Sequence, residues 1–358
     1  MLSYTSAVTI ALDATPLTVS TGGVGRYTLE LARALASEYP EDQYWLLSDQ
    51  SFSLSHDLPN LHAGEGPRNP AERKWWLWGL DREMQRRGVE LFHGTDYSVP
   101  YLPQRPSVMT LHDLSPWLDQ TWQPGASRVR RRTPRLLRMG LATMVITPTE
   151  TVRRAAIDRF QLAPDRVVAI PLAAGELFKP VAPASSAVPY FLFVGTHEPR
   201  KNIARLLEAW REARKTTAVD LVLAGRAHAL AAEPGLRVLG EVPDSALPGL
   251  YSGARACVFP SLYEGFGLTV LEAMQCGALV ITSRDPAILE VSGEAALHVD
   301  AEDTRALAEA MRAAGVNPDG FAEVRQRALA RAAQFSWQKT ARLTKQVYDA
   351  ATRAFSHS

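Results

Sequence analysis

Cysteine is almost missing from this chain: of its 358 residues, two are cysteines, Cys257 and Cys276. That excludes a disulfide framework and points to a reducing, cytoplasmic setting, with both thiols read as buried rather than reactive. No long apolar run of the kind that spans a bilayer occurs, and the start, MLSYTSAVTIAL, has no basic leader, so neither a membrane-spanning helix nor a signal peptide is expected. Surplus charge of one sign is absent too. Lys and Arg total 39 against 38 Asp and Glu, a net +1 that argues against a general nucleic-acid binder. No two aspartates stand two residues apart, so the metal-binding Asp-x-Asp pattern is missing, and neither an internal repeat nor a low-complexity tract is evident. What remains is an ordinary globular mixture, 46% hydrophobic and 22% charged, in a chain long enough for two domains.

Within that mixture one stretch organises the rest, CVFPSLYEGFGLTVLEAMQCGALVITS from Cys257 to Ser283. Two short apolar runs, at 256–259 and 278–282, have the length and flanks of buried strands, with a loop and a helix between them, which makes a βαβ unit. Glu264, Gly265, Phe266 and Gly267 fall just before the helix, where the backbone N–H groups of Phe266 to Leu268 point outward and suit an anion such as phosphate. Glu272 lies about 7 Å further along the helix axis, so one carboxylate can meet each end of a ligand. The plain reading is an ordinary crossover with turn glycines and solvated glutamates.

The pair Glu264 and Glu272 within PSLYEGFGLTVLEAMQCG resembles the signature of retaining, nucleotide-sugar-dependent glycosyltransferases of family 4. That family has the GT-B fold, an α/β class with two Rossmann-like, doubly wound domains facing a central cleft. The resemblance covers nearly the whole chain and implies an N-terminal acceptor-binding domain at 1–175, a C-terminal nucleotide-sugar-binding domain at 176–335, and a helix at 336–358 crossing back to the first domain. A linker of Ala, Ser and Pro at 182–189 fits a connection between halves.

In the second half, strands are expected at Tyr190–Val194, Asp220–Ala224 and 237–239, and helices at 244–252 and 304–314. The loop GTHEPRKN brings Arg200 and Lys201 beside a helix start at Asn202, so two cations and free N–H groups converge on an anion-sized space. Those residues alone read equally as a solvated loop. FVGTHEPRKNIARLLEAW resembles the family's diphosphate-binding loop, which assigns Arg200 and Lys201 to the leaving diphosphate, with Glu264 on the sugar hydroxyls and Glu272 on the ribose. By the same resemblance Gly225 and Val242, at strand ends, lie around the nucleoside. No metal and no bound cofactor is implied.

The first half reads as a strand at 8–12 ending in Asp13, then Thr21-Gly22-Gly23-Val24-Gly25-Arg26-Tyr27 opening a helix to about Ser37. Those glycines either let a ligand approach the backbone or simply make a turn; in the family the loop faces donor phosphates and acceptor, which implies ligand contacts for Gly22, Gly23 and Gly25. Further strands are expected at Gln43–Leu47, 91–93, 107–111, 144–148 and 167–171, with loop at 48–69 and a helix through Phe160 capped by Thr149. The strand at 107–111 delivers His112 and Asp113 to the edge where open α/β sheets bind ligands. VMTLHDLSPW resembles the His-Asp-Leu loop of family members that use mannose-type donors, so His112 would hydrogen-bond the transferred sugar and Asp113 would orient the loop or the acceptor.

Two segments carry an open alternative. Trp75, Trp76 and Trp78 beside Arg82, Arg86 and Arg87 are either an interfacial membrane helix, or a core stripe with Trp75, Leu77 and Trp78 inside and solvated charges outside. Arg128, Arg130, Arg131, Arg132, Arg135 and Arg138, without an acid among them, are either a solvated face or a patch for an anionic acceptor or lipid, and Pro134 reads as a break or a helix start. The expectation is therefore a hexosyltransferase using GDP-mannose first, with a glycan or lipid-linked acceptor, in the cytoplasm or at the inner membrane face. A nucleotide-sugar epimerase, a phosphorylase needing pyridoxal phosphate, and an inactive glycan- or membrane-binding relative are the alternatives.

Overall fold

The computed structural model describes residues 7–18, 22–54, 58–182, 188–226 and 231–356. Thr21 and most of the expected linker lie outside them. The chain divides into two compact units: Met1–Trp117 with Gly125–Leu172 and Trp337–Ser358, and Leu118–Pro124 with Ala173–Ser336.

The first unit runs β1 (Thr9–Asp13), α1 (Gly23–Glu38), β2 (Gln43–Leu47), β3 (Leu61–Ala63), α2 (Leu80–Arg86), β4 (Leu91–Gly94), β5 (Ser107–Thr110), α3 (Ser115–Leu118), α4 (Ser127–Arg138), β6 (Met144–Thr147), α5 (Glu150–Phe160) and β7 (Val167–Ala169). Its sheet is parallel, in the order β3-β2-β1-β4-β5-β6-β7. The chain steps outward from β1 through β2 to β3, returns to β4 on the other side of β1 and steps outward again; the right-handed crossovers that parallel sheets favour then put helices on both faces, so strands such as MVIT are buried throughout. Thr149 caps α5 by accepting the Val152 N–H, a contact that stabilises by about 1 kcal/mol.

Several local expectations change. The segment 48–69 is not all loop: Leu61–Ala63 adds an edge strand, pairing Tyr44 with Leu61, and three residues are too few to show a period. Pro134 neither breaks nor starts a helix but sits inside α4. The carbonyl of Arg130, which a proline at 134 leaves without its helical N–H, accepts the indole Nε1–H of Trp117 at 3.2 Å.

The tryptophan segment forms a π-helical turn, Trp75–Gly79, ahead of α2. The Lys74 carbonyl accepts from the N–H groups of Leu77, Trp78 and Gly79, and a Cβ at Gly79 would meet the Glu72 carbonyl oxygen at 2.0 Å. This wider turn sends Trp75 into a core with Leu47, Met84 and Phe92, leaves Trp76 half-buried and turns Trp78 out at 47% exposure. Neither expected pattern holds as stated: Trp75 is sealed from any membrane, and Trp78 is outside. The nearby cations are not merely solvated. Arg86 pairs with Glu72 at 3.0 Å and Glu83 at 2.6 Å, and Arg87 with Glu83 at 2.9 Å, which balances two buried carboxylates.

The second unit runs β8 (Tyr190–Val194), α6 (Ile203–Arg214), β9 (Asp220–Ala224), β10 (Leu236–Gly240), α7 (Leu247–Gly253), β11 (Ala256–Phe259), α8 (Leu268–Gln275), β12 (Val280–Ser283), α9 (Pro286–Ser292), β13 (Leu297–Val299), α10 (Thr304–Val316) and α11 (Ala322–Ala332). Its parallel sheet has the order β10-β9-β8-β11-β12-β13. The loop at Asp285 and Pro286 is in fact a helix start, Asp285 accepting the N–H groups of Ala287 and Ile288. The final helix, α12 (Trp337–Ser356), belongs to the first unit and is tied there by Lys345–Asp42 at 2.6 Å and by the Thr340 hydroxyl on the Pro171 carbonyl at 2.7 Å. Among the described residues no helix is long and apolar enough to cross a membrane.

Each sheet reverses its strand order once, between β1 and β4 and between β8 and β11. The crevice outside the carboxyl ends of the strands at such a switch point is where an open α/β sheet takes a ligand.

Candidate active site

In the second unit, the loops that leave β8 and β11 are stitched together before any ligand is considered. Pro199–Lys201 forms a 3-10 turn, and Asn202 follows in the left-handed region at φ 59°. The Asn202 amide donates to the carbonyls of Pro260 at 3.2 Å and Ala301 at 2.7 Å, and the Leu262 N–H donates to the Arg200 carbonyl at 2.7 Å. The Glu264 carboxylate thereby falls between the two cations: Arg200 Nη1 lies 3.0 Å from Oε2 and Lys201 Nζ 2.6 Å from Oε1. Arg200 also donates from Nε to Glu198 at 2.8 Å. Burial alone would raise the Glu264 carboxyl, but the charges of Lys201 and Arg200 outweigh it and hold the group at about 2. Burial pulls Lys201 below its ordinary value against the opposing effect of Glu264.

Gly267 ends this loop at φ 85°, the left-handed region that favours glycine, and a Cβ there would also push Ile288 Cδ1 aside from 2.3 Å. No side chain caps α8, whose first-turn N–H groups are the feature that favours an anion there. Phe266 is buried with its ring edge-on to Phe335 at 6.0 Å, while Gly265 and Leu268 flank it in the same loop and first turn. Glu272 stands apart: it is fully buried in α8 and accepts the Tyr251 hydroxyl at 2.9 Å. Its side chain therefore faces the interior here, not an open ribose site. Gly225, at φ 124°, has the Gly195 backbone so near that a Cβ would meet its oxygen at 2.3 Å, and its N–H donates to Gly240 at 2.7 Å. Val242 is half-buried just beyond β10.

In the first unit His112 is half-buried beyond the end of β5. Its Nε2 lies 2.7 Å from the Thr95 carbonyl, which can only accept, so Nε2 carries the proton and Nδ1 keeps the lone pair. Burial lowers the imidazole pKa, against smaller opposing effects of Thr95 and Asp113. Asp113 turns into its own loop: Oδ1 accepts from the Ser115 N–H at 2.8 Å, the Ser115 hydroxyl at 2.7 Å and the Tyr97 hydroxyl at 3.2 Å. Of the two roles expected for Asp113, this geometry matches loop orientation. Gly22 and Gly23 are exposed at the start of α1, and a Cβ at Gly25 would come to 3.0 Å from the Pro16 carbonyl. Around the switch point, burial raises Asp13 to about 6 and Asp96 to about 7, the latter with help from the charges of Asp13 and Asp113. Arg132 is held over the rings of Trp76 and Tyr101 and donates to Ser98.

Residues 21–175 match the model of Glycosyltransferase Family 4, and residues 188–314 that of Glycosyl transferases group 1. The chain is 30% identical over 381 residues to the O-antigen chain mannosyltransferase B of Escherichia coli, covering 93% of this chain and 97% of that one. It belongs to the family 4 glycosyltransferases. The chain is accordingly a nucleotide-sugar-dependent glycosyltransferase of GT-B fold. Among solved structures, sucrose-phosphate synthase from Thermosynechococcus elongatus shares the fold with a TM-score of 0.77, at 22% identity and with 98% of this chain and 100% of that one covered. Anabaena HepE, solved with UDP and glucose, shares it with a TM-score of 0.73, at 18% identity and with 96% and 100% covered.

Within this glycosyltransferase, the structure brings Arg200, Lys201, Glu264 and the start of α8 together in the second unit, and leaves His112 with Gly22, Gly23 and Gly25 in the first. Sequence reading missed Tyr27, Thr95 and Tyr97 around His112, and Asp285 beside Glu264. Asp285 had a readable signal, an Asp-Pro pair opening a helix. Tyr27 closes the glycine motif that the family resemblance already turned toward the ligands, whereas Tyr97 had no signal, since only the tertiary fold takes its ring to the histidine.

Proposed function

We propose that the enzyme transfers mannose from GDP-mannose to a glycan or lipid-linked acceptor with retention of anomeric configuration and without a metal. The observation that carries the reading is the Glu264 carboxylate seated between Arg200 and Lys201 at the β8–β11 switch point. In transfer the bond from the sugar C1 to the diphosphate oxygen breaks, its electron pair leaves with the nucleoside diphosphate, and an acceptor hydroxyl oxygen bonds to C1 while its proton passes to the departing diphosphate oxygen. Arg200, Lys201 and the N–H groups of residues 266–268 stabilise the departing charge, held in place before the reaction begins. Glu264 meets sugar hydroxyls and keeps both cations aimed. His112 accepts a hydroxyl of the transferred sugar at Nδ1. Glu272, Gly225 and Val242 serve the nucleoside, Glu272 through the carboxylate oxygen that the Tyr251 hydroxyl does not occupy. The mannosyltransferase relative supports the sugar.

Peripheral membrane contact is assigned to α4 in place of the tryptophan turn. Arg128, Arg131, Arg135 and Arg138 are exposed at three- and four-residue spacing, on one face, beside exposed Met139. Co-sedimentation with anionic but not neutral vesicles tests this, and equal pelleting with both would refute it.

The main test is a thermal-shift panel of GDP, UDP, dTDP and ADP, followed by turnover of the sugar conjugate that binds. A ligand held only by the folded state raises its stability by mass action. GDP is expected to give the largest rise and GDP-mannose to turn over with an α-linked product; a UDP-only response would replace the donor, and an inverted product would remove the retaining assignment.

A further inference from the structure

We infer that Tyr27 and Tyr97 are positioning residues, two pinned rings that clamp the His112 imidazole so that Nδ1 is presented as a hydrogen-bond acceptor. The inference rests on the reading of His112 as a ligand of the transferred sugar. Both rings stand nearly perpendicular to the imidazole, Tyr27 at 84° with centroids 4.8 Å apart and Tyr97 at 80° and 6.2 Å. An imidazole on an exposed loop rotates readily about its second side-chain torsion and exchanges its two nitrogens. Two rings packed at right angles to it oppose that rotation, and the Thr95 carbonyl then selects which nitrogen carries hydrogen.

Each ring is itself tied down through polar atoms. The Tyr97 hydroxyl donates to Asp113 and accepts the Asp113 N–H at 3.2 Å, closing the loop that carries His112. The Tyr97 backbone is strapped on both sides, its N–H donating to the Thr110 carbonyl at 3.1 Å and its carbonyl accepting the Thr133 hydroxyl of α4 at 2.9 Å. It holds a left-handed φ of 53°, uncommon for so large a side chain and retained where surrounding bonds over-determine it. The Tyr27 hydroxyl lies 2.9 Å from the Thr110 hydroxyl, which lies 2.8 Å from His93 Nε2, and His93 Nδ1 lies 2.8 Å from the Tyr348 hydroxyl of α12. The chain is buried from end to end. Thr110 thus anchors both tyrosines, one through its side chain and one through its carbonyl, two residues before His112.

Nothing in this arrangement touches the reacting bond, so its effect is on orientation. Such effects appear in kcat more than in donor KM. The test uses the full chain labelled with 15N-histidine, with His112 signals assigned by their loss in His112→Ala. The wild type is expected to show a single Nε2–H tautomer at His112. In Tyr97→Phe and Tyr27→Phe those signals should broaden or show a tautomer mixture, with kcat for GDP-mannose down about tenfold and KM within about twofold. Unchanged His112 signals in both variants would overturn the clamp, as would a kcat loss confined to variants whose melting temperature collapses. If His112→Ala leaves kcat intact, the sugar-ligand role fails instead, and the tautomer measurement still decides the clamp.

Discussion

At the carboxyl ends of β8 and β11 the enzyme gathers formal charge, Arg200 and Lys201 around Glu264, in a place where first-turn N–H groups add to the positive field. At the equivalent ends of β1 and β4, with β5 beside them, it gathers groups with weaker formal charge: an imidazole whose pKa burial lowers, two tyrosines, and two carboxyls that burial raises to about 6 and about 7. Both places are switch points of parallel sheets with one reversal each. The fold therefore supplies position twice, and the side chains decide what each position can hold. A charged crevice suits a diphosphate that leaves with an extra negative charge; one lined by an imidazole, tyrosines and raised carboxyls suits hydroxyls, which need aligned donors and acceptors.

The largest effect should come from removing the negative member of the charged crevice. Glu264→Gln is expected to lower transfer about 10³-fold. It should also lower the melting temperature of the ligand-free protein, because Lys201 loses its countercharge and Arg200 is left with Glu198 alone. GDP should then stabilise the variant more than the wild type by replacing that charge; an equal rise in both would show that the diphosphate does not sit on this pair. Next in size, Arg200→Ala should weaken GDP by about 10- to 100-fold, the loss typical of a charge-assisted hydrogen bond, and GMP by much less. Calorimetric titration of both nucleotides checks this, and equal weakening would detach Arg200 from the second phosphate.

The smallest effect probes the crevice of the first unit. A carboxyl raised in the folded state, Asp96 at about 7 from 3.8, binds a proton that the unfolded chain has already lost, so stability falls as pH rises through that window. Asp96→Asn should therefore melt a few degrees above the wild type at pH 8, with the gap closing as the pH approaches 4. The opposite shift marks Glu264, held at about 2: its contribution is present above 4.5 and lost as pH falls below that value. Melting curves across pH 2 to 8 would merge the two crevices into one behaviour if the contrast between them were false.

Some of this was readable before any folding. Strands at Gln43–Leu47, Tyr190–Val194, Asp220–Ala224 and Ala256–Phe259 have the limits their apolar runs suggest, because a parallel strand covered on both faces needs little else. The Thr149 cap and the glycine at 267 were legible for a similar reason, each meeting a need of its own turn. The three-residue β3, the π-helical turn at Trp75 and the uninterrupted α4 were not. Each depends on a partner outside its own window: β3 on β2, Pro134 on the indole of Trp117, Arg86 and Arg87 on two buried glutamates.

The candidate site divides along the same line. Local pattern by itself determined the α/β class and singled out the two glutamates, the Arg-Lys pair and the histidine as groups at strand exits and helix starts, each a matter of residue type within its own βα unit; their roles came from resemblance to the family, since the residues alone read equally as turns and solvated loops. The tertiary structure alone decided that Glu264 would sit between the two cations, that Glu272 would face Tyr251, and that tyrosines from α1 and the β4–β5 loop would meet at His112. The physical reason is range: propensity, capping and hydrophobic period act over a few residues, whereas a buried charge or an oriented ring is settled by whichever side chain the fold carries to it, and those partners here lie 63, 64 and 83 residues away along the chain.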